Sequence, residues 1–154
     1  MTENIKVVAT NRKAGFEYFL LEKFEAGLVL QGSEIKSIRA GNVSFKDAFA
    51  RIDEDEVFLY NLHITLYPQA SYLNDEPDRV RKLLLNKREI GRLIGSVVQK
   101  NLLLVPTKLY FNKRGMVKVE LAVGRGKKQY DKRETIKKRD IDRDISRVIR
   151  QKKR

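Results

Sequence analysis

The spacing of hydrophobic positions predicts a chain built mainly of strands. Hydrophobic and aromatic residues dominate 16–30, which is typical of a strand, and Ala26-Gly27 within it predicts a bulge or a sharp bend. Apolar residues on both sides of the acidic run 53–56 predict a hairpin. A second hairpin is predicted around the turn 112–115, because every second position of 117–123 is apolar.

Two helices are predicted from cap residues and from apolar residues three and four positions apart. In 32–41, Ser33 is the expected N-cap and Gly41 ends the helix. The clearer signal follows Asn86, because Glu89 stands three residues later as in a capping box. Apolar residues then recur with the period of an α-helix at Ile90, Leu93, Ile94, Val97 and Val98.

Several short strands with a few helices in a small basic chain predict a barrel. The fold class we expect is mainly β with added helices, in an OB-like closed β-barrel. Residues 68–79 are expected to form an irregular loop, because Pro68 and Pro77 interrupt regular structure. The predicted organisation is an OB-like barrel with helices over 1–126 and a basic C-terminal tail over 127–154.

Positive charge is concentrated in the tail. The whole chain carries a net charge of +13, and 125–154 holds fourteen Lys and Arg against five Asp and Glu. That stretch has a net charge of +9, which leaves +4 for the body. A basic extension on a nearly balanced body predicts a polyanionic partner, with nucleic acid first. A membrane surface is the second alternative, although the tail lacks the Trp, Phe and Leu face of an interfacial helix.

The tail is predicted to be disordered when free and helical when bound to its partner. Its apolar residues have helical spacing, while the remaining positions are nearly all charged; the apolar ones are Ile141, Ile145, Val148 and Ile149. A single helix of this length is marginally stable in water, so we expect a binding partner to order it.

The sequence offers no set of residues for covalent or metal chemistry. It has no cysteine, and its one histidine, His63, is expected to be structural. The acidic run 53–56 is interpreted as a solvated turn, and 140–144 fails as a calcium loop because Ile145 replaces the required glycine. "GRGKK" lacks the first glycine and the Ser or Thr of a phosphate loop. We therefore expect no enzyme activity, no cofactor and no metal.

The location expected from the sequence is the cytoplasm. No apolar run approaches the ~20 residues of a membrane-spanning helix. The N-terminal residues lack the apolar stretch of a secretory leader. The absence of cysteine fits a reducing compartment, and we expect a monomer.

Tyrosines and a second basic stretch are candidates for nucleic-acid contact. Tyr18 and Tyr110 lie in apolar runs, so packing is favoured over base stacking there. Tyr130 lies in a charged stretch, which favours contact with a base. Phosphate contacts are also predicted from the basic residues Arg79, Arg81, Lys82, Lys87 and Arg88.

Three separated motifs resemble one known family. They are "NRKAGFEYFLLEKFEAGLVLQGSEIKSIRAG", "RVRKLLLNKREI" and "GRGKKQYDKRETIKKRD". In order and spacing they are similar to the SmpB family, the SsrA-binding proteins of bacteria, from residue 11 to the end. The resemblance implies an OB-like barrel with a basic tail and a non-enzymatic role in trans-translation. Such a protein grips the tRNA-like domain of transfer-messenger RNA and escorts it to stalled ribosomes, where the tail enters the empty mRNA path.

The resemblance also assigns residues to two contact regions. The RNA-gripping region matches Tyr18, Glu25, Leu84, Asn86, Arg125, Gly126, Lys127 and Lys128. The region facing the ribosomal decoding centre and small-subunit ribosomal RNA matches Tyr130, Asp131, Lys132, Arg133, Lys137, Lys138, Arg139 and Ile141. A carboxylate such as Glu25 accepts hydrogen bonds from base or 2′-hydroxyl groups, so it would contribute specificity. The alternative from composition alone is a ribosomal or ribosome-assembly protein; the three motifs together favour the first function.

Overall fold

The structure is a computed structural model that describes residues 5–65 and 76–152. Most of the predicted loop 68–79 lies outside the described residues. The strands are β1 (Lys6–Thr10), β2 (Tyr18–Leu28), β3 (Val43–Ser44), β4 (Phe49–Asp53), β5 (Glu56–Tyr60), β6 (His63–Ile64), β7 (Arg81–Leu84), β8 (Leu103–Phe111) and β9 (Val117–Gly126). The helices are α1 (Arg12–Glu17), α2 (Gly32–Arg39), α3 (Lys87–Ile94) and α4 (Gln129–Lys152).

Seven of these strands form one antiparallel sheet in the order β1-β8-β9-β2-β7-β5-β4, while β3 and β6 pair separately. The sheet curls until β4 lies close to β8, and the hydrophobic core fills the inside of the curl. Fully buried side chains from five of the strands meet there, among them Ala26, Val57, Leu83, Leu109 and Leu121. The predicted fold class, mainly β with added helices, is confirmed.

The prediction of a closed barrel is wrong, because β1 and β4 do not pair within the described residues. β1 covers only one half of β8, from Lys108 to Phe111. In the other half, Pro106 has no N–H to donate. Asn11 donates from its backbone N to Thr107 O at 2.7 Å and from Nδ2 to Pro106 O at 2.8 Å. These contacts occupy backbone groups that a closing strand would use, and a cleft of about 600 Å³ remains between β4, β8 and α1.

The long strand β2 differs from its prediction in where it begins and in where its bulge lies. It begins at Tyr18, because α1 precedes it and buries Ala14 against the body. The bulge lies at Leu21, where the register with β9 shifts, and Ala26-Gly27 is regular. Gly27 instead allows close approach of β7: a Cβ at this position would lie 3.3 Å from Cβ of Leu84. The glycine is therefore a packing requirement and not a bend.

Helix α2 forms where it was predicted, but Ser33 is not its N-cap. Gln31 takes that position, because Glu34 at N3 accepts a hydrogen bond from the Gln31 N–H at 2.8 Å in a capping box. Gly41 closes the helix as predicted, with a φ of 81° that favours glycine. Chain direction at this helix is thus set by the Gln31–Glu34 pair.

Helix α3 and both hairpins are confirmed. Asn86 caps α3 by accepting from the Glu89 N–H at 2.9 Å, and a π-helical turn, Gly95–Gln99, extends the helix. The first hairpin turns at Glu54 and Asp55, whose φ values of 49° and 62° are those of a tight two-residue turn. The acidic run is therefore a solvated turn, as predicted. Strands β1 and β7 were not predicted.

Arg81 is the main departure among the basic residues. It is 0% exposed on the inner side of β7, so the prediction that it contacts phosphate is wrong. Its guanidinium donates to Glu34 Oε2 at 2.8 Å, to Leu62 O at 2.5 Å and to Pro77 O at 3.0 Å. These bonds fasten α2 and the segment before β7 to the core.

Glu34 is the buried carboxylate of this cluster. Burial alone would raise its pKa, but hydrogen bonds from Arg79, from the Gln31 N–H and from Arg81 outweigh burial and lower it. Burial lowers the pKa of Arg81, while Glu34 opposes that change. Both groups stay ionised near neutral pH, because each is hydrogen-bonded to its opposite charge.

The tail forms one helix in the structure, α4, which runs for 24 residues. It includes 141–149, where apolar spacing predicted a helix, and it begins earlier, at Gln129. That the tail orders only on its partner stays a prediction.

Candidate nucleic-acid interface

Glu25 and Leu84 lie on the outer surface of the sheet. Side chains alternate along β2, so Phe24 and Ala26 enter the core while Glu25 points outward. Leu84 pairs with Gly27, which leaves it 52% exposed beside the Glu25 position. The two residues that sequence resemblance assigned to one surface are therefore close in the fold. We call their surroundings the Glu25 face, defined by Lys23, Glu25, Leu84, Lys108, Tyr110, Lys118 and Glu120.

Tyr110 supports Glu25 from β8. Its hydroxyl donates a hydrogen bond to Glu25 Oε2, and the side chain is only 5% exposed. Burial raises the pKa of Tyr110, and the hydrogen bond to Glu25 raises it further, so the phenol keeps its proton. The interpretation of Tyr110 as a packed residue is confirmed, since its ring is covered.

A second carboxylate lies directly across from Glu25. Glu120 is its register partner on β9, and like charges in that position repel. The Glu120 carboxylate accepts a hydrogen bond from Thr107 Oγ1 at 2.5 Å and lies 3.8 Å from Lys108 Nζ. The Glu25 face thus combines fixed hydrogen-bond acceptors with nearby cations. Such a surface suits a ligand that carries hydrogen-bond donors next to phosphates.

Asn86 stands just beyond this face at the start of α3. Its Oδ1 is engaged by the Glu89 N–H, and its backbone N donates to the Glu89 carboxylate at 3.4 Å. The side chain remains exposed. Asn86 therefore has a structural function as a cap. The predicted contact with RNA involves the same side chain, which is exposed.

Tyr18 does not join Glu25. The two residues lie seven positions apart along β2, which is roughly 20 Å. Tyr18 instead lines the cleft between β4 and β8, which Phe49 and Leu103 also line. The predicted RNA-binding residues therefore fall into two groups, one at each end of β2.

The second group forms the root of the tail, defined by Phe19, Arg125 and Lys127. The Phe19 ring has Arg125 Cζ at 5.3 Å and Lys127 Nζ at 5.0 Å from its centroid. Lys127 also donates from its backbone N to Glu17 O at 2.8 Å and from Nζ to Gly15 O at 3.1 Å. Lys127 thereby attaches the tail to α1. The sequence resemblance had assigned this lysine to RNA contact.

Helix α4 presents its charges to solvent. Of the predicted ribosome-facing residues, Lys132 is half-buried, while the others with a described side chain are exposed: Arg133, Lys137, Lys138, Arg139 and Ile141. The side chains of Tyr130 and Asp131 lie outside the described part of the structure. Ile141 and Ile145, one turn apart, are 57% and 53% exposed. This helix therefore offers cations and an uncovered apolar strip to a partner.

Sequence reasoning missed the residues that organise both groups. Phe19 was part of an apolar run, and its position beside two cations depends on the pairing of β2 with β9. Tyr110 was assigned to packing, but its hydroxyl partner comes from a strand 85 positions away in sequence. One signal in the sequence could have indicated this pairing. A tyrosine predicted to be packed carries a hydroxyl, and a buried hydroxyl needs an acceptor.

The described residues support neither a metal site nor a membrane-spanning helix. Across 5–65 and 76–152, no three His, Cys, Asp or Glu side chains gather as metal ligands would. His63 lies 3.0 Å from Asp78 through Nδ1, which links β6 to the segment before β7. No helix in the same part of the chain is long and apolar enough to cross a membrane.

Known proteins similar to this chain agree with one another. The sequence model of one family, described as SmpB protein, matches residues 8–151. An SsrA-binding protein of Thermoanaerobacter pseudethanolicus is 54% identical over 150 residues, covering 97% of this chain and 96% of that protein. One from Thermosipho melanesiensis is 53% identical over 146 residues, covering 95% and 99%.

A solved structure also resembles the fold. A chain from "tmRNA-SmpB: a journey to the center of the bacterial ribosome" superimposes with a TM-score of 0.66 and 49% sequence identity. The match covers 83% of this chain and 93% of that chain. The similarity thus extends over most of both proteins.

Proposed function

The chain belongs to the SmpB protein family, and we propose that it binds the tRNA-like domain of transfer-messenger RNA and delivers this RNA to stalled ribosomes. There it supports trans-translation, with its tail in the empty mRNA path near the decoding centre. The observation that carries the proposal is that one strand pair, β2 and β9, connects the Glu25 face with the root of the tail. β2 and β9 display Glu25 near one end and hold the root of a cationic helix at the other.

The Glu25 face fits the gripping function. A carboxylate fixed on an exposed sheet accepts hydrogen bonds from base edges and ribose hydroxyls, and phosphates repel it. Lys23, Lys108 and Lys118 on the same face supply cations for the flanking phosphates. Leu84, half exposed, offers an apolar surface to a ribose or a base. Binding at this face would therefore depend on RNA structure as well as on charge.

The tail fits a different target. Its exposed cations bind phosphates without regard to sequence, and its isoleucines need a surface that covers them. We propose that α4 is stabilised when it docks in the mRNA path, because a lone helix with an uncovered apolar strip is marginal in water. The protein acts in the cytoplasm as a monomeric binding protein without catalysis.

The proposal is tested by capture of the tagged protein from bacterial lysate, with sequencing of the bound RNA. We expect strong enrichment of transfer-messenger RNA over its abundance in the lysate. Recovery of ribosomal RNA without that enrichment would favour a ribosomal or ribosome-assembly protein and would rule out the proposed function.

Replacing Glu25 with alanine is expected to weaken binding of transfer-messenger RNA about 10-fold or more, since hydrogen bonds to a charged group contribute about 1.5–3 kcal/mol. The melting temperature should fall only modestly, because Glu25 is exposed and its loss leaves one donor, the Tyr110 hydroxyl, without its acceptor. Filter binding at fixed salt measures the first and calorimetry the second. Glu56→Ala, at an exposed carboxylate of the β4–β5 hairpin, is the control and should bind normally. A large loss of thermal stability in Glu25→Ala would instead make Glu25 a structural residue.

Replacing Phe19 with leucine tests the root of the tail. Leucine keeps apolar packing but removes the ring face that holds Arg125 and Lys127. We expect peptide tagging on stalled ribosomes to slow about 3- to 10-fold, in line with two weakened cation–π contacts. RNA affinity should stay near that of the wild type. Phe58→Leu, at another half-exposed aromatic of the sheet, is the control; equal tagging by both variants would show that Phe19 does not direct the tail.

A further inference from the structure

Tyr110 is unusual among the buried residues because its side chain does not enter the hydrophobic core. It alternates with Leu109 and Phe111, which both belong to the core cluster, so Tyr110 lies on the opposite side of the sheet. On that side Tyr110 borders a shallow pocket of about 290 Å³ with Ile5, Lys23 and Glu25. Lys108 Nζ lies 5.8 Å from the ring centroid. Tyr110 is thus embedded in the proposed RNA-binding surface.

The hydroxyl of Tyr110 engages only one of the two oxygens of Glu25. It donates to Oε2, and Oε1 accepts no hydrogen bond within the described residues. Glu25 itself is exposed. An exposed glutamate normally samples many rotamers, and fixing it on binding costs entropy. A hydrogen bond from a buried, immobile ring removes part of that cost before RNA arrives.

Electrostatic repulsion makes this fixation necessary. Glu120 faces Glu25 directly across the β2–β9 pair, and the two carboxylates repel each other. Strand β8 holds both: Thr107 Oγ1 binds Glu120, and Tyr110 binds Glu25. Two hydroxyls from one strand therefore keep the two carboxylates in separate positions.

We propose that Tyr110 is a positioning residue for RNA recognition, whose hydroxyl holds the Glu25 carboxylate so that Oε1 accepts from a base or ribose donor. This inference rests on the proposed function, because it takes the Glu25 face as the RNA-binding surface. Tyr110 makes no contact with RNA in this proposal; it acts through Glu25 alone.

The test is a double-mutant cycle on the affinity for transfer-messenger RNA at fixed salt. Tyr110→Phe removes one oxygen and keeps the ring, and it should weaken binding about 3- to 10-fold, the net value of one hydrogen bond. In the Glu25→Ala background the same substitution should have no further effect, because the group it positions is gone. A loss of the same size in both backgrounds would overturn the proposal.

A second readout separates positioning from loss of cations. The slope of affinity against salt concentration reports the number of phosphate contacts. Tyr110→Phe should leave that slope unchanged while lowering the affinity at each salt concentration. Tyr60→Phe is the matched control, since it removes a phenol hydroxyl from β5, outside the Glu25 face, and it should bind as the wild type does. An equal loss in Tyr60→Phe would show that the effect does not pass through Glu25 and would overturn the proposal.

The failures of the two proposals are distinguishable. If the wild-type protein does not prefer transfer-messenger RNA over an unrelated RNA of equal length, the proposed function fails. If it does, and Tyr110→Phe binds equally well, only the positioning role fails. Should Tyr110→Phe unfold, Glu25→Asp replaces it, because the shorter carboxylate keeps its charge but loses reach to the phenol. That variant should bind more weakly, and normal binding by it would contradict the proposal.

Discussion

Removal of residues 134–154 is expected to abolish peptide tagging on stalled ribosomes and to leave most of the affinity for transfer-messenger RNA. The Glu25 face remains in the shortened chain, so the proposed RNA grip persists. What is lost is most of α4, whose cations and isoleucines are exposed wherever their side chains are described. Tagging of a reporter made from an mRNA without a stop codon measures the effect.

The control for this truncation replaces 134–154 with a Gly/Ser linker of equal length. It restores chain length but neither charge nor helix, so tagging should stay at the background level seen without protein. Affinity measured at physiological salt should fall only a few-fold, because loss of cations weakens nonspecific binding. Collapse of RNA affinity in the truncated chain would contradict the division between gripping face and tail.

Replacing Arg81 with methionine is expected to destabilise the fold by about 3–5 kcal/mol, the range for breaking a buried ion pair. The substitution leaves Glu34 only 5% exposed with one fewer opposite charge, and it leaves the carbonyls of Leu62 and Pro77 without their donor. That loss is a large share of the 5–15 kcal/mol that stabilises a domain. Denaturant unfolding followed by circular dichroism measures it.

Lys82→Met is the control next to Arg81 on the same strand. Lys82 points to the outer surface, and its ammonium lies 3.5 Å from Glu56 in an exposed ion pair. Exposed pairs contribute between zero and about 1 kcal/mol, so this variant should unfold close to the wild type. Equal destabilisation by the two substitutions would show that the buried Arg81–Glu34 cluster stabilises the fold no more than an exposed ion pair does.

The same cluster predicts a dependence of stability on acid. Because the folded state lowers the pKa of Glu34, the carboxylate stabilises the fold at pH values above its ordinary pKa, about 4.3. This stabilisation is lost as the pH falls below that value through the lowered pKa. Denaturant midpoints of wild type and Glu34→Gln should therefore differ most near neutral pH and converge in acid. A difference that grows in acid would contradict the assignment.

Local signals in the sequence predicted the parts of the fold that depend on neighbours in the chain. Asn86 and Glu89 specify the start of α3 within four residues, and the two hairpins follow from alternation around a turn. The same logic failed at Ser33, because Gln31 with Glu34 forms the capping box two residues earlier. Competition between adjacent caps is decided by side-chain geometry and not by residue type.

Other features depend on distant partners and were not predicted. β7 was missed because its first residue is a buried arginine, which only a carboxylate from α2 makes tolerable. Closure of the barrel was predicted from the number of strands, but Asn11 and Pro106, 95 positions apart, keep it open. In the candidate site, Glu25 and Leu84 were placed together by resemblance, while Tyr18 proved to lie at the other end of β2.

The most direct test of the central claim is a competition experiment between two RNAs at one salt concentration. Purified protein is bound to labelled transfer-messenger RNA and challenged with unlabelled transfer-messenger RNA or with an unrelated structured RNA of equal length. Charge alone would make the two competitors equal, since both carry the same phosphates. We expect the unrelated RNA to compete at least about 100-fold less well, a difference of about 2.7 kcal/mol. Equal competition would show that the protein binds RNA through its charge alone and would contradict a specific grip.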